Sequence, residues 1–273
     1  MLADLALIAL AALTAGVGAI GGLGGAVILV PVLVLSGMPI VEASPLGLIS
    51  VVAASVAASG RQLRDGTVNH RVGVVAESAA TVGAIVGALA VGVVSERLLT
   101  WIIAVVIVAA AAMSGRRKGI RWHPDTSLDA SAVGEWVGSL NGAYDLNGSV
   151  VPYRPRRTVF GVSLMGLAGL VTGLAGVGGG FMKTPIASEV MHLPVKVAAA
   201  TSTFTIGLTA SVALAVTAIR GDIDVNAGAL VVLGAATGGL VGARLQRQLS
   251  PVVVRRALAA LLVVISVVLV VRA

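Results

Sequence analysis

The sequence predicts an all-α polytopic membrane protein with two inverted repeats, each a re-entrant or broken helical hairpin followed by three transmembrane helices, and a small cytoplasmic β-hairpin linker between them. Three observations lead to this fold class. Of the 273 residues, 57% are hydrophobic and 11% are charged, and the mean hydropathy is +1.02. A pattern of glycines and prolines occurs twice, and the basic residues collect in a few loops.

Long apolar segments account for most of the chain. A bilayer core requires about 20 apolar residues per helix. Residues 5–41 hold no charge, which is nearly twice the length of one span. Because this first run lacks a small-residue cleavage site followed by polar sequence, we expect no separate signal peptide. The later apolar segments are 44–60, 72–95 with Glu77 as its one charge, 98–115, 197–219, 225–243 and 257–271.

The repeat appears when the glycine clusters are aligned. GGLGGAVILVP at 21–31 matches AGVGGGFMKTP at 175–185 at an offset of 154, and AATVGAIVGA at 79–88 matches AATGGLVGAR at 235–244 at an offset of 156. The prolines also coincide, Pro31 with Pro185 and Pro39 with Pro194. Weak internal repeats of this kind are typical of membrane transporters.

The alignment divides the chain into three parts. Residues 3–115 form the first transmembrane repeat, 116–157 a linker, and 158–273 the second transmembrane repeat. Asn147-Gly148 in the linker lies between short apolar runs and predicts a two-residue β-hairpin turn. His123, Asp125 and Asp129 match no metal-site spacing, and the absence of cysteine excludes disulfides and thiolate metal sites. We therefore expect no metal and no cofactor.

The distribution of Lys and Arg distinguishes a hairpin from a single span at the start of each repeat, because cytoplasmic loops are enriched in basic residues. The hairpin arrangement places 15 of the 19 basic residues inside and three outside, whereas single spans place 12 inside and six outside. Each repeat then crosses the membrane an odd number of times. The second repeat is inverted, and the two glycine tips approach each other near the midplane. The net charge of +7 follows from the loops and indicates no nucleic-acid partner.

Two of the glycine patterns have explanations other than an anion site. GVGAIG at 16–21 fits the dinucleotide-binding pattern G-x-G-x-x-G, but its flanks are membrane sequence instead of a strand and a helix of an α/β domain. Gly83-Gly87 and Gly238-Gly242 have the four-residue spacing that lets membrane helices pack closely.

The clusters GGLGG and GVGGG are denser than helix packing requires. Glycine permits a chain reversal with positive φ, and a helix that restarts there exposes backbone N–H groups without intrahelical partners. Such a terminus carries partial positive charge and binds anions. We therefore predict an anion site formed by Gly22, Gly24, Gly25, Gly176, Gly178, Gly179 and Gly180, with Pro31, Pro185, Pro39 and Pro194 as hinge or structural residues.

Polar side chains close to these glycines complete the predicted site. Lys183 follows the second cluster, where the first repeat has Leu29, and it either faces the anion or extends along the arm to the interface. Thr201, Ser202 and Thr203 either donate to an oxyanion or bond back to their own helix. Glu77 is a candidate coupling residue, with a pair to Arg71 as the alternative.

Three motifs give the chain a family likeness: the paired glycine segments that end in proline, the run P-x-K-x-A-A-A-T-S at 194–202, and the basic linker with GAYD and VVPY. Together they resemble the sulfite exporter TauE/SafE family over nearly the whole chain. The first repeat departs from the motif, with GGLGG instead of a triple glycine. The resemblance implies movement of sulfite, sulfonates or related sulfur oxyanions across the cytoplasmic membrane of a bacterium or archaeon.

The sequence thus predicts a non-enzymatic secondary transporter or facilitator that exports a small sulfur-containing anion. Its partners are that anion and the lipid bilayer, and a homodimer is left open. Each negative charge that leaves a negative interior gains about 2.3 kcal/mol per 100 mV, so export needs no coupling ion. The alternatives are a gated anion channel and an uptake carrier for another small anion. A membrane-embedded enzyme would need a nucleophile–base pair, but there is no cysteine and the three histidines are expected in loops.

Overall fold

The computed structural model describes residues 2–21, 24–64, 66–91, 133–146, 149–221 and 223–245, with a few positions between 93 and 108. The first half contains α1 (Leu2–Gly21), α2 (Ala26–Leu35), α3 (Ile40–Arg64) and α4 (His70–Ala90). The linker holds β1 (Gly134–Glu135), β2 (Gly142–Leu146) and β3 (Ser149–Tyr153). The second half contains α5 (Thr158–Ala175), α6 (Gly180–Pro185), a π-helical turn (Ile186–Val190), α7 (Val195–Ile219) and α8 (Val225–Leu245).

Six of the described helices are long and apolar enough to cross a membrane, which confirms a multi-pass helical membrane protein. They are α1, α3, α4, α5, α7 and α8. The predicted span at 257–271 lies outside the described residues, as does most of the one at 98–115. Buried apolar side chains such as Leu29, Leu48 and Phe181 pack α2 and α6 against α3 and α7.

The segment from α5 to the π-helical turn has the geometry of a hairpin. The backbone N–H of Arg156, just before α5, donates to the carbonyl of Met191, just after the turn (2.9 Å). The segment therefore begins and ends at the same place. Pro185 closes α6, and because proline has no N–H the regular ladder cannot continue, which fits the π-helical geometry that follows. Of the other predicted structural prolines, Pro31 lies inside α2, Pro39 precedes α3 and Pro194 caps α7.

Helix α4 runs parallel to α7. The backbone N–H of Asn69 donates to Thr201 Oγ1, Thr209 contacts Glu77, and Arg220 donates to the carbonyl of Ala88. The sequence separation is 132 residues in all three pairs, so the two helices run in the same direction with a constant register.

The predicted packing glycines lie at two close helix contacts. A Cβ on Gly83 would lie 2.1 Å from the carbonyl oxygen of Gly166, and one on Gly87 2.2 Å from that of Leu170. Helices α4 and α5 are therefore parallel and in backbone contact. The same holds for α8 and α1, where Gly238 lies against Ala12 and Gly242 against Gly16.

Helix α3 crosses the centre of this arrangement. Gly228 of α8 contacts Ile49, and Gly239 contacts Ala54, so α3 and α8 advance in the same direction. Against α7 the order is reversed, because Ser55 donates to the carbonyl of Thr203 while Ile49 and Leu214 line the same groove. Helices α3 and α7 are therefore antiparallel.

The linker contains the predicted β-hairpin and one additional short strand, in the order β1-β2-β3, all antiparallel. Leu146 pairs with Ser149 at the end of the hairpin, and Asn147 and Gly148, where the turn was predicted, lie outside the described residues. The buried Tyr153 accepts a hydrogen bond from the Asn69 side-chain amide (3.0 Å). This contact holds the sheet against the start of α4. Burial raises the pKa of Tyr153 to about 12.

Candidate functional site

Three of the predicted site glycines adopt left-handed backbone conformations. The φ angles are 80° for Gly24, 64° for Gly176 and 59° for Gly178. Residues that carry a side chain rarely adopt these angles, so glycine is required where each helix stops and the chain turns back. Gly22 lies outside the described residues.

The two glycine breaks share a neighbouring side chain, that of Val51, and the first break also contacts Ile206. A Cβ on Gly24 would lie 3.2 Å from Ile206 Cδ1 and 3.6 Å from Val51 Cγ2, and a Cβ on Gly178 2.6 Å from Val51 Cγ2. Val51 and Ile206 lie near the middle of the 25-residue helices α3 and α7. The breaks therefore converge where these two helices cross.

Each break is followed by a new helix whose N-cap is a glycine. Gly25 is the N-cap of α2, and Gly179 is the N-cap of α6, which begins at Gly180. The carbonyl of Gly179 accepts from the N–H groups of Met182 and Lys183. At the start of α6 the Gly180 N–H already donates to the carbonyl of Gly178 (2.7 Å). The other N–H groups of a helix's first turn have no partner within the helix.

A small cavity lies beside the first break. It has a volume of about 20 Å³, close to that of one water molecule. The Ser55 hydroxyl at its wall donates to the carbonyl of Thr203 (2.6 Å). A sulfur oxyanion is larger than this space, so the break is closed in this conformation. The lining residues are Gly18, Ala19, Gly24, Gly25, Val51, Ala54, Ser55, Thr203 and Ile206.

The three predicted hydroxyl residues do not converge. Thr203 lines the small cavity, although its hydroxyl donates to Ala199 one turn earlier (2.9 Å). Thr201 faces the start of α4, where it accepts from the Asn69 N–H (3.0 Å). Ser202 is buried. Of the three, only Thr203 is among the residues that line the space at a glycine break.

Lys183 lies in a buried polar cluster. Its side chain is only 2% exposed, and Nζ lies 2.7 Å from Glu77 Oε2. The Lys183 ammonium also donates to the Thr209 hydroxyl, which in turn donates to Glu77 Oε1. The structure thus pairs Glu77 with Lys183 instead of with Arg71, and Lys183 does not extend to an exposed interface. We call Lys183, Glu77 and Thr209 the ion cluster.

The ion cluster connects three elements close to the second break. Lys183 lies on α6, one turn after Gly179, whereas Glu77 lies on α4 and Thr209 on α7. A buried ion pair is strongly desolvated, so loss of one partner leaves a charge that the surroundings do not compensate. The pair therefore favours the present position of the α6 arm relative to α4 and α7.

The sequence patterns did not indicate two polar residues near the breaks, Thr209 and Ser55. A signal for Thr209 exists, because Thr201, Thr205 and Thr209 recur every four residues and so share one face of α7. That face lies against α4, where Asn69, Gly73 and Glu77 have the same spacing. No comparable pattern surrounds Ser55, which only the crossing of α3 and α7 brings to the break.

A separate groove among the described residues is lined by apolar side chains. It measures about 510 Å³ and lies between α3, α7 and α8, lined by side chains such as Val52, Leu214 and Val232. An anion would find no hydrogen-bond donor side chain there, so this groove is not the candidate site.

Comparison with known proteins gives one match. The family model described as Sulfite exporter TauE/SafE matches residues 7–269, nearly the whole chain. Searches of curated proteins and of solved structures found no match. The match includes both glycine breaks and the ion cluster, and the chain belongs to the sulfite exporter TauE/SafE family.

Proposed function

We propose that this protein is a secondary transporter or facilitator that exports a small sulfur-containing anion, sulfite or an organosulfonate, across the cytoplasmic membrane of a bacterium or archaeon. Family membership supports transport of sulfur anions. The structural observation that carries the site is that both glycine breaks pack against Val51, near the middle of α3. Backbone N–H groups at these breaks, with Lys183 nearby, offer donors to an oxyanion at a place buried in protein.

The proposal includes inverted repeats, which helix directions support. Helices α1, α3 and α8 advance together, and α4, α5 and α7 advance together, while α3 and α7 are antiparallel. The first helix of one repeat therefore runs opposite to the first helix of the other. The hairpin joined by Arg156 and Met191 supports an odd number of crossings per repeat.

The contacts between the repeats support a two-fold relation. Offsets of 154 and 155 convert Gly24 into Gly178 and Val51 into Ile206. They thereby exchange the contact Gly24–Ile206 with the contact Gly178–Val51, and both are observed. Two breaks related in this way reach one central site from opposite faces, which is the arrangement that alternating access uses.

The orientation of the protein in the membrane follows from the distribution of basic residues, and the direction of transport follows from the charge of the anion. The basic linker is placed on the cytoplasmic side because loops rich in Lys and Arg stay inside. An anion that leaves a negative interior moves down the membrane potential, which favours export. The closed break, with its cavity of about 20 Å³, fits an occluded state of a carrier.

The decisive test is binding and flux with purified protein. Thermal shifts against sulfite, methanesulfonate, sulfate, acetate and chloride should show stabilisation by a sulfur oxyanion. The stabilising anion should then enter or leave proteoliposomes faster than it crosses protein-free vesicles. The proposal fails if no sulfur oxyanion either stabilises the protein or is transported. Flux far above the turnover of carriers would favour the gated channel.

A further inference from the structure

The ion cluster has a composition that packing does not require. The first repeat has Leu29 and Ala54 at the positions of Lys183 and Thr209, at offsets of 154 and 155, and both are buried. The same fold is thus built there with apolar side chains. Buried charges are expensive unless they are paired, so a lysine and a threonine that only one of the two repeats carries at these positions need a functional explanation.

We propose that the ion cluster is itself an oxyanion-binding site, which the carboxylate of Glu77 occupies in this conformation. It takes a monovalent oxyanion, and Glu77 binds one proton when the anion replaces it. This inference rests on the proposed function and adds to it a substrate charge and a coupling proton.

The chemistry of the exchange supports the replacement. A carboxylate and a sulfonate both present acceptor oxygens to an ammonium and a hydroxyl. The Lys183 ammonium and the Thr209 hydroxyl now bind the two oxygens of Glu77. An incoming oxyanion can accept the same hydrogen bonds. Lys183 lies one turn from Gly179, so the anion would remain beside the break.

Charge balance requires the proton. With Lys183 positive and Glu77 negative, the cluster is neutral. If an anion replaced Glu77 without a proton, two negative charges would share one ammonium in a buried site. A buried carboxylate without a partner takes up a proton instead. The N–H···O contact between Lys183 and Glu77 breaks, one forms between Lys183 and the anion, and a proton from solution binds the freed carboxylate.

The other charged groups on the elements around the cluster are separated from it along the chain, including Glu189 of the π-helical turn, six residues after Lys183. Among the described residues of the helices around the cluster, α5 contains no charged or titratable side chain. Helix α7 contributes Lys196, 13 residues from Thr209, which corresponds to about 20 Å along a helix. On α4 the other titratable groups are His70 and Arg71, and His70 lies beside Glu135 of the linker (3.6 Å). Lys183 is the cation in direct contact with Glu77.

The test uses methanesulfonate, which remains a monoanion from pH 5 to pH 8, so that any pH dependence reports on the protein. Calorimetric titration of the full-length protein in two buffers of different ionisation enthalpy measures the protons bound with the anion. We expect about one proton per anion, and up to a tenfold loss of affinity per pH unit where Glu77 is ionised. Glu77→Gln should bind methanesulfonate without proton uptake, whereas the control Glu42→Gln, an exposed acid of α3, should keep it.

An infrared difference spectrum of wild-type protein provides a second readout that needs no variant to fold. Methanesulfonate should produce a carboxylic-acid C=O band, and this band should remain in Glu42→Gln. Binding without proton uptake and without this band would overturn the inference and leave the proposed transport intact. Proton uptake that persists in Glu77→Gln would do the same. If neither methanesulfonate nor sulfite binds at any pH, the proposed function fails first.

Discussion

Gly178 in the second break leaves no room for a side chain. Its φ of 59° is unfavourable for other residues, and a Cβ would lie 2.6 Å from Val51. We expect Gly178→Leu to insert in the membrane but to lose transport, because a side chain blocks both the turn and the approach of an anion. Radiolabelled sulfite flux in proteoliposomes measures the loss, which should exceed about 100-fold if the approach is blocked.

The matched control is Gly60→Leu. Gly60 lies in α3 and has no neighbouring atom within 4 Å of an added Cβ. It should keep wild-type flux. Normal flux in Gly178→Leu would reduce the glycine breaks to packing features.

Lys183 is the second residue whose role can be tested directly. Lys183→Gln should weaken the binding of the monoanions methanesulfonate and hydrogen sulfite, because the bound anion loses its contact with the ammonium. Loss of a charge-assisted hydrogen bond of about 1.5–3 kcal/mol corresponds to roughly a 10- to 150-fold weaker affinity. Lys183→Arg should retain part of it. Isothermal titration measures the affinities.

Because Lys183→Gln leaves Glu77 without its partner, the double variant Lys183→Gln/Glu77→Gln serves as the neutral reference. An unchanged sulfite affinity in both variants would leave anion binding to the backbone N–H groups alone.

At the scale of elements, the α4–α5 contact depends on glycine. A methyl group on Gly83 would lie 2.1 Å from the carbonyl oxygen of Gly166, which is backbone and cannot rotate away. We expect Gly83→Ala to destabilise the protein by about 1–3 kcal/mol, as overpacking does. Melting in detergent measures the change, and anion selectivity should stay the same. Gly60→Ala is the control and should not lower the melting temperature, because its added methyl group meets open space. An equal loss there would show that the close contact with Gly166 is not the cause.

The linker sheet is tied to α4 through the buried Tyr153, and its pKa gives a second test at this scale. Burial keeps the folded-state pKa near 12, above the ordinary value of 10. The neutral phenol is therefore favoured in the folded sheet. Its contribution to stability is fully present below pH 10 and is lost between pH 10 and about pH 12.

The chain has two tyrosines, and burial raises the pKa of Tyr144 as well. Tyrosinate absorbance should thus rise only above pH 10, and the later phase should disappear in Tyr153→Phe. A full tyrosinate signal at pH 10 would contradict the buried placement.

At the scale of the whole molecule, the side of the membrane on which each loop lies distinguishes hairpins from single spans. The chain has no native cysteine, so single cysteines can be introduced without background. In the hairpin arrangement Gly221→Cys is labelled from outside by an impermeant thiol reagent, and Arg247→Cys is labelled only after permeabilisation. Single spans predict the reverse for both positions. Val137→Cys in the linker, predicted to be cytoplasmic in both arrangements, is the control. The reverse pattern would remove the facing glycine breaks.

The sequence by itself determined the class of membrane protein, the glycine breaks and the packing glycines. These depend on local properties: hydropathy over about 20 residues, the backbone freedom of glycine and four-residue spacing on a helix. It also predicted the β-hairpin, since Asn-Gly between apolar runs encodes a turn locally.

Only the tertiary structure decided where the charges go. Lys183 and Glu77 are separated by 106 residues, and no periodicity links them. From the sequence, Lys183 could face the anion or extend to the interface, and Glu77 could act in coupling or pair with Arg71. In the structure the two side chains pair with each other from different helices. Ser55 and Thr209 belong to the site for the same reason, since α3, α4, α6 and α7 converge there. Local pattern defines which groups a helix presents, but the desolvation of a buried charge depends on what packs against it, and that is set by the assembled bundle.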